Sequence, residues 1–207
     1  MSRRDAPWIW DANASHYARQ ESLEGRAVET AVRLAAPAPG EHLVDVATGT
    51  GIVLRTLAGR PPADRPRSAI GVDASRRMLA QVGTLPTGWE LRQADARALP
   101  LDDASADVVT CTYLLHLLSA EDRATVVAEI RRILKVGGRV VVATPWSPRL
   151  AVRAVLTTAA FVAPAKVGGL APLDPTDDLR AAGLEPRARV VLPRRGYPTV
   201  VVLADAQ

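Results

Sequence analysis

The sequence predicts an α/β fold: a seven-stranded, mostly parallel sheet with one antiparallel strand and helices on both faces. Three observations carry this. The run Val44–Gly51, VDVATGTG, is an apolar strand that stops in a loop of small residues just before a helical pattern opens. From Leu43 to Ala143, strand-length apolar runs alternate with helix-period segments, as repeated strand–helix units do. The last two strand-like runs are separated only by Pro193–Pro198, short enough for an antiparallel hairpin.

In chain order, Asp11–Gln20 reads as a short helix with Asp11 as its N-cap. Leu23, Ala27, Val28, Ala31 and Leu34 then recur at helical spacing up to Pro37. Strand 1 is Leu43–Val46, followed by a helix over Gly51–Ala58. Pro61–Arg67 is a turn. Strand 2 is Ala69–Val72, and Ser75 caps a helix holding Met78, Leu79 and Val82. Strand 3 is Trp89–Gln93 and strand 4 is Asp107–Thr112. A long helix over Ala120–Leu134 stops at Gly137–Gly138, read as a C-cap pair. Strand 5 is Arg139–Ala143, and Thr176–Ala182 is a short helix closed by Gly183. Strands 6 and 7 are Arg187–Leu192 and Thr199–Leu203.

The 207 residues suit one domain, 1–207, with a sizeable core. No stretch is long and apolar enough to span a membrane, and the N-terminus lacks a secretory apolar core. With Cys111 as the single cysteine, an internal disulfide and a Cys-cluster metal site are excluded, and a cytoplasmic location is expected. The net charge is +4, but the basic residues are dispersed arginines, Lys135 and Lys166 being the only lysines. Few aromatics interleave with them, which argues against a nucleic-acid partner.

The glycine-rich loop decides the ligand class. A dinucleotide site asks for G-x-G-x-x-G, but Leu54 holds the third glycine position. A phosphate P-loop asks for a lysine that is absent here. What remains is D-x-A-x-G-x-G, from Asp45 through Ala47 and Gly49 to Gly51, with Asp73 ending strand 2 where an acid can accept ribose hydroxyls. Further on stand Gln93-Ala94-Asp95-Ala96, Leu99-Pro100, Asp107 and Leu134-Lys135-Val136-Gly137-Gly138.

In this order and spacing the motifs resemble those of class I S-adenosylmethionine-dependent methyltransferases. Within that class they resemble the small-molecule group that includes the ubiquinone/menaquinone-type enzymes (methyltransferase type 11). Three positions depart from that pattern: Ala47 for a glycine, Ala106 for a phenylalanine and Val136 for a proline. The resemblance implies a Rossmann-like methyltransferase fold and S-adenosylmethionine as methyl donor, leaving S-adenosylhomocysteine. It further implies that Asp95 holds the adenine amino group and that the Ala96 amide meets a ring nitrogen. The segment Trp10–Tyr17 resembles an opening that folds over the cofactor within residues 1–40, making Tyr17 a contact. The candidate cofactor residues are thus Tyr17, Asp45, Ala47, Thr48, Gly49, Gly51, Asp73, Ala74, Met78, Asp95, Ala96 and Cys111. Cys111 also reads as a buried small hydrophobe.

His116 and Tyr113, just past strand 4, are the candidate catalytic residues. A neutral His116 in that place can deprotonate an acceptor hydroxyl or amine, or simply pack. No metal site can be assembled. The family places its substrate lid between strands 5 and 6, here residues 145–172. Its apolar content, from Leu150 to Val167, suits an apolar or amphipathic acceptor methylated at O, N or C, in specialised metabolism. Two other readings stay open: a quinone or phospholipid methyltransferase at a membrane surface, and an interaction protein that binds S-adenosylmethionine without turnover. Oligomeric state does not follow from the sequence.

Overall fold

The computed structural model describes residues 17–162, 171–192 and 198–207. Trp10–His16, Asp11 as a cap, part of the expected lid and most of the Pro193–Pro198 connection lie outside these residues. Seven strands form one sheet in the order β3-β2-β1-β4-β5-β7-β6. They are β1 (His42–Val46), β2 (Ser68–Asp73), β3 (Glu90–Gln93), β4 (Ala106–Thr112), β5 (Leu134–Pro145), β6 (Leu184–Leu192) and β7 (Thr199–Ala206). The first five pair in parallel, and β7 runs antiparallel to both β5 and β6. The chain builds outward from β1 on one side and from β4 on the other. The C-terminal ends of these two strands therefore form the crevice where α/β sheets bind ligands.

The helices are α1 (Tyr17–Ala35), α2 (Ile52–Ala58), α3 (Arg76–Leu79), α4 (Ala120–Ile133), α5 (Leu150–Val162) and α6 (Thr176–Ala181). Strand periodicity divides the core into two layers. Leu43, Val108, Val141, Val201 and Leu203 pack against Val28, Ala31 and Val32 of α1 and against Val53, Leu54 and Leu57 of α2. Val44, Val46, Val109, Val140 and Val142 point the other way, onto Val126, Val127, Ile130 and Ile133 of α4 and Leu179 of α6.

Three local expectations are corrected. No break separates two N-terminal helices within the described residues, because α1 runs unbroken through Ser22 and Gly25. An interior glycine costs a helix about 1 kcal/mol, less than the buried stripe of α1 returns. Second, α3 is a single turn, and Val82 lies beyond it, buried against the glycine loop. Third, Gly137 and Gly138 do not cap the long helix, which ends at Ile133 with Leu134 already extended. Leu134 pairs with Ala106 and Arg139 with Val108, so Lys135–Gly138 bulge out of β5. Gly137 has φ 76°, and a Cβ on Gly138 would stand 2.9 Å from the Lys135 carbonyl oxygen. Lys135 Nζ reaches across that bulge to Asp107 Oδ1 at 2.7 Å.

Candidate functional site

At the carboxyl edge of β1, Asp45 points into the sheet interior and is almost fully buried. Its neighbour in register on β4 is Thr110, whose hydroxyl donates to Oδ1 at 2.7 Å; the Thr48 hydroxyl donates to Oδ2 at 2.7 Å. Burial outweighs these bonds and pushes the Asp45 carboxyl up to about 6, the nearby Asp73 charge adding in the same direction. Asp45 thus pins the loop from beneath. The loop itself turns through three left-handed residues: Ala47 (φ 57°), Gly49 (φ 56°) and Gly51 (φ 78°). Gly51 is required for packing, since a Cβ there would sit 2.6 Å from Val82 Cγ1. Around Gly49 the space is open on the Cβ side.

Asp73 ends β2 facing this loop. Its Oδ2 accepts the Gly49 amide and its Oδ1 the Ser75 amide, both at 2.8 Å. Ser75 in turn accepts from the Met78 amide and caps α3. Beyond β3, Asp95 is clasped by Arg97. Nη2 donates to Oδ2 at 2.6 Å, Nε to Oδ1 at 3.0 Å, and the Arg97 amide to Oδ1 at 2.9 Å. The Arg97 bonds hold the Asp95 carboxyl below the usual carboxylate range against a smaller opposing effect of burial. Across the opening, Tyr113 follows β4 with φ 58°, and its amide donates to the Ala143 carbonyl at 2.8 Å. Its hydroxyl meets Thr199 Oγ1 at 2.9 Å, so the ring is fastened to β7.

These segments enclose one cleft. Its floor and loop side are Ala47, Gly49, Val72, Asp73, Ala74 and Met78. One wall is Ala94–Arg97. The other is Thr112, Tyr113, Leu114, Leu117 and Leu118, with Val126 of α4 behind. Acceptor groups for hydroxyls and amines stand at one end, and an apolar wall faces them.

Of the candidates, Ala47, Gly49, Asp73, Ala74, Met78, Asp95, Ala96 and Tyr113 line the cleft. Asp45, Thr48 and Gly51 stand behind it and shape the loop, and Cys111 is fully buried in the β4 core, its thiol pushed far up by burial. Asp45, a candidate cofactor residue, is turned inward, with both carboxylate oxygens taken by the Thr48 and Thr110 hydroxyls. Tyr17 opens α1, its side chain outside the described residues. His116 lies in a one-turn 3₁₀ helix, Leu115–Leu117, and is buried outside the cleft lining. It stands edge-on to Tyr113 at 6.2 Å between ring centroids. Its Nδ1 has no hydrogen-bond partner among the described residues, and burial pushes its pKa down to about 3. Sequence reasoning missed Arg97, whose only signal was its place two residues after Asp95. It also missed the wall of Leu114, Leu117 and Leu118, which a 3₁₀ turn creates without a helical period. Among the described residues no group of three or more His, Cys, Asp or Glu is arranged to hold a metal ion.

Residues 44–142 match the family profile of the methyltransferase domain. The ubiquinone/menaquinone biosynthesis C-methyltransferase UbiE of Rubrivivax gelatinosus is 38% identical over 109 residues, 52% of this chain and 41% of that protein. The O-methyltransferase cnsE of Penicillium expansum is 37% identical over 122 residues, 56% of this chain and 41% of that protein. The aligned part is therefore less than half of either relative's length. Among solved structures, a chain of the complex between the Haloferax volcanii Trm112 methyltransferase activator and a candidate methyltransferase superposes with a TM-score of 0.72. It is 21% identical, and the match covers 95% of this chain and 97% of that one.

Proposed function

We propose that this protein transfers a methyl group from S-adenosylmethionine to an apolar or amphipathic small molecule, a reading supported by the match of residues 44–142 to the methyltransferase-domain profile. The observation that carries the reading is the cleft at the β1/β4 switch point. It holds Asp73 at the strand 2 end and Asp95 after strand 3, with an apolar wall of Leu114, Leu117 and Leu118 opposite. A nucleoside needs these groups: acceptors for ribose hydroxyls and an exocyclic amine, and apolar surface for a purine face. S-Adenosylmethionine supplies the methyl group on a sulfonium that is its own leaving group, so the protein's task is to bind, orient and exclude water.

Asp73 takes the ribose hydroxyls while its amide bonds keep it aimed across the loop. Asp95 would hold the adenine amino group and the Ala96 amide a ring nitrogen, with Met78 lining the same cleft. The open side of Gly49 admits the amino-acid arm close to the backbone. Tyr113, held by Thr199, fixes the β4 end against which the acceptor is aligned. His116 stands as a neutral imidazole edge-on to Tyr113 and supports that ring from behind the cleft; with burial pushing its pKa down to about 3 it is too weak a base to take a proton at neutral pH.

The apolar acceptor class is supported by α5, which opens the expected lid. Leu150 is 72% and Val155 67% exposed, an unusual display for aliphatic side chains. The same display supports the second reading, action on a quinone or phospholipid at a membrane surface. Between Ser147 and Leu173 the sequence carries Arg149, Arg153 and Lys166 and no acid. No described helix is long and apolar enough to cross a membrane.

The test is calorimetric titration with S-adenosylhomocysteine and, separately, NADH, followed by single turnover of labelled S-adenosylmethionine against a panel of phenols, quinones and lipid amines. Binding of S-adenosylhomocysteine alone, with label transfer, is expected. NADH binding alone, or binding of neither, overturns the cofactor assignment, and binding without transfer to any acceptor points to the non-catalytic reading. Transfer that depends on added anionic vesicles favours the membrane-surface reading.

A further inference from the structure

Arg97 joins two walls of the cleft. From the β3 side it grips Asp95 through Nε and Nη2. With its remaining terminal nitrogen, Nη1, it reaches Asp122 Oδ1 in the first turn of α4, at 2.8 Å. Asp122 is fixed in its turn by the helix cap: the Ser119 hydroxyl donates to Asp122 Oδ2 at 2.8 Å, and the Asp122 amide donates to Ser119 Oγ at 3.1 Å. Ser119 follows directly on Leu117 and Leu118, the apolar wall. A continuous chain, Asp95–Arg97–Asp122–Ser119, therefore runs from the segment after β3 to the segment after β4, along the edge of the cleft. Arg97 lines that cleft itself. Its side chain is 28% exposed and that of Asp122 23%, so the bridge is partly withdrawn from water.

The planar guanidinium is what makes this span feasible. It offers five N–H groups in a fixed fork, enough to meet one carboxylate with two nitrogens and a second with the third. A lysine in the same place could hold one carboxylate or the other as a point charge. The Asp95 carboxylate accepts three bonds at 3.0 Å or less from Arg97, and Nε also lies 3.2 Å from Oδ2, so the guanidinium fixes the plane in which the carboxylate is offered.

We propose that Arg97 is a positioning residue for the purine end of the cofactor site: it orients Asp95 toward the exocyclic amine and clasps the β3 and β4 walls around the ring. The inference rests on the proposed S-adenosylmethionine site and adds to it a residue that sets cofactor affinity in this chain. The clasp acts before chemistry, by reducing what the carboxylate and the two walls must lose in freedom when the purine arrives.

The experiment is titration of the full chain with S-adenosylhomocysteine, comparing wild type with R97A, R97K, D122N and the pair D95A and D95A/R97A. A weakening of roughly tenfold or more is expected for R97A, the size of a lost charge-assisted hydrogen bond. R97K should recover only part of it. D122N, which leaves the Asp95 grip and the serine cap in place, should weaken binding by a smaller factor. The effects of D95A and R97A should be strongly non-additive, as for two groups acting through one contact. Should R97A fail to fold, R97K and D122N carry the same comparison. Wild-type affinity in R97A, or in both R97K and D122N, overturns the inference and leaves the cofactor site standing. Additive losses in the double variant reduce Arg97 to general support of the fold and also overturn it. If the wild-type chain does not bind S-adenosylhomocysteine at all, the cofactor assignment itself falls, and this inference with it.

Discussion

The Gly49 amide donates to Asp73 Oδ2 at 2.8 Å, so the carboxylate that ends β2 is bonded to the middle of the glycine loop that ends β1. One side chain thereby shapes the loop and presents acceptors to the cleft. Asp73→Ala should weaken S-adenosylhomocysteine binding by tenfold or more and lower the unfolding midpoint, because the Gly49 and Ser75 amides both lose their acceptor. Asp73→Asn keeps one acceptor oxygen and should fall between. Calorimetry and thermal melts read the two effects separately; an Ala variant that binds like wild type would remove Asp73 from the site.

Ala47 holds a left-handed φ of 57° where the related motif carries glycine. An L-residue pays about 1–2 kcal/mol for that conformation, and glycine gives back part of the relief through its freer unfolded chain. Ala47→Gly should therefore raise stability by about 0.5 kcal/mol, a gain of roughly 1–2 °C for a domain of this size, without weakening cofactor binding. A lower midpoint would show that the Ala47 methyl contributes more in packing than its backbone costs.

Asp45 predicts a pH dependence. Its carboxyl titrates near 6 in the fold against 3.8 in an ordinary setting, chiefly through burial. Between these values the folded state binds more proton than the unfolded chain, so stability falls as pH rises through this window. The Asp45 contribution is most favourable below about pH 4 and has been lost above about pH 6. Asp45→Asn, uncharged throughout, should show a smaller drop in midpoint between pH 4.5 and 7.5 than wild type. Equal drops in the two proteins would contradict the burial argument.

His116, titrating near 3, stays neutral across the physiological range. With an acceptor that does not itself titrate between pH 5.5 and 8, single-turnover rates should carry no limb near 6.5. Such a limb, absent from His116→Gln, would restore this residue as the general base.

Element order, the parallel core and the closing hairpin were legible because strand and helix periodicities are local, and Gly49, Asp73 and Asp95 were legible because their spacing along the chain is itself the motif. The inward turn of Asp45 was decided by tertiary structure: the pleat alternates, and only the pairing of β1 with β4 brings Thr110 opposite the carboxylate. Burial of His116 was likewise settled by a 3₁₀ turn too short to leave a period, and the glycine bulge of β5 by its register against β4. The Arg97 bridge spans 25 positions to Asp122; such a contact exists only once two segments that share no local pattern have been folded onto the same edge of the sheet.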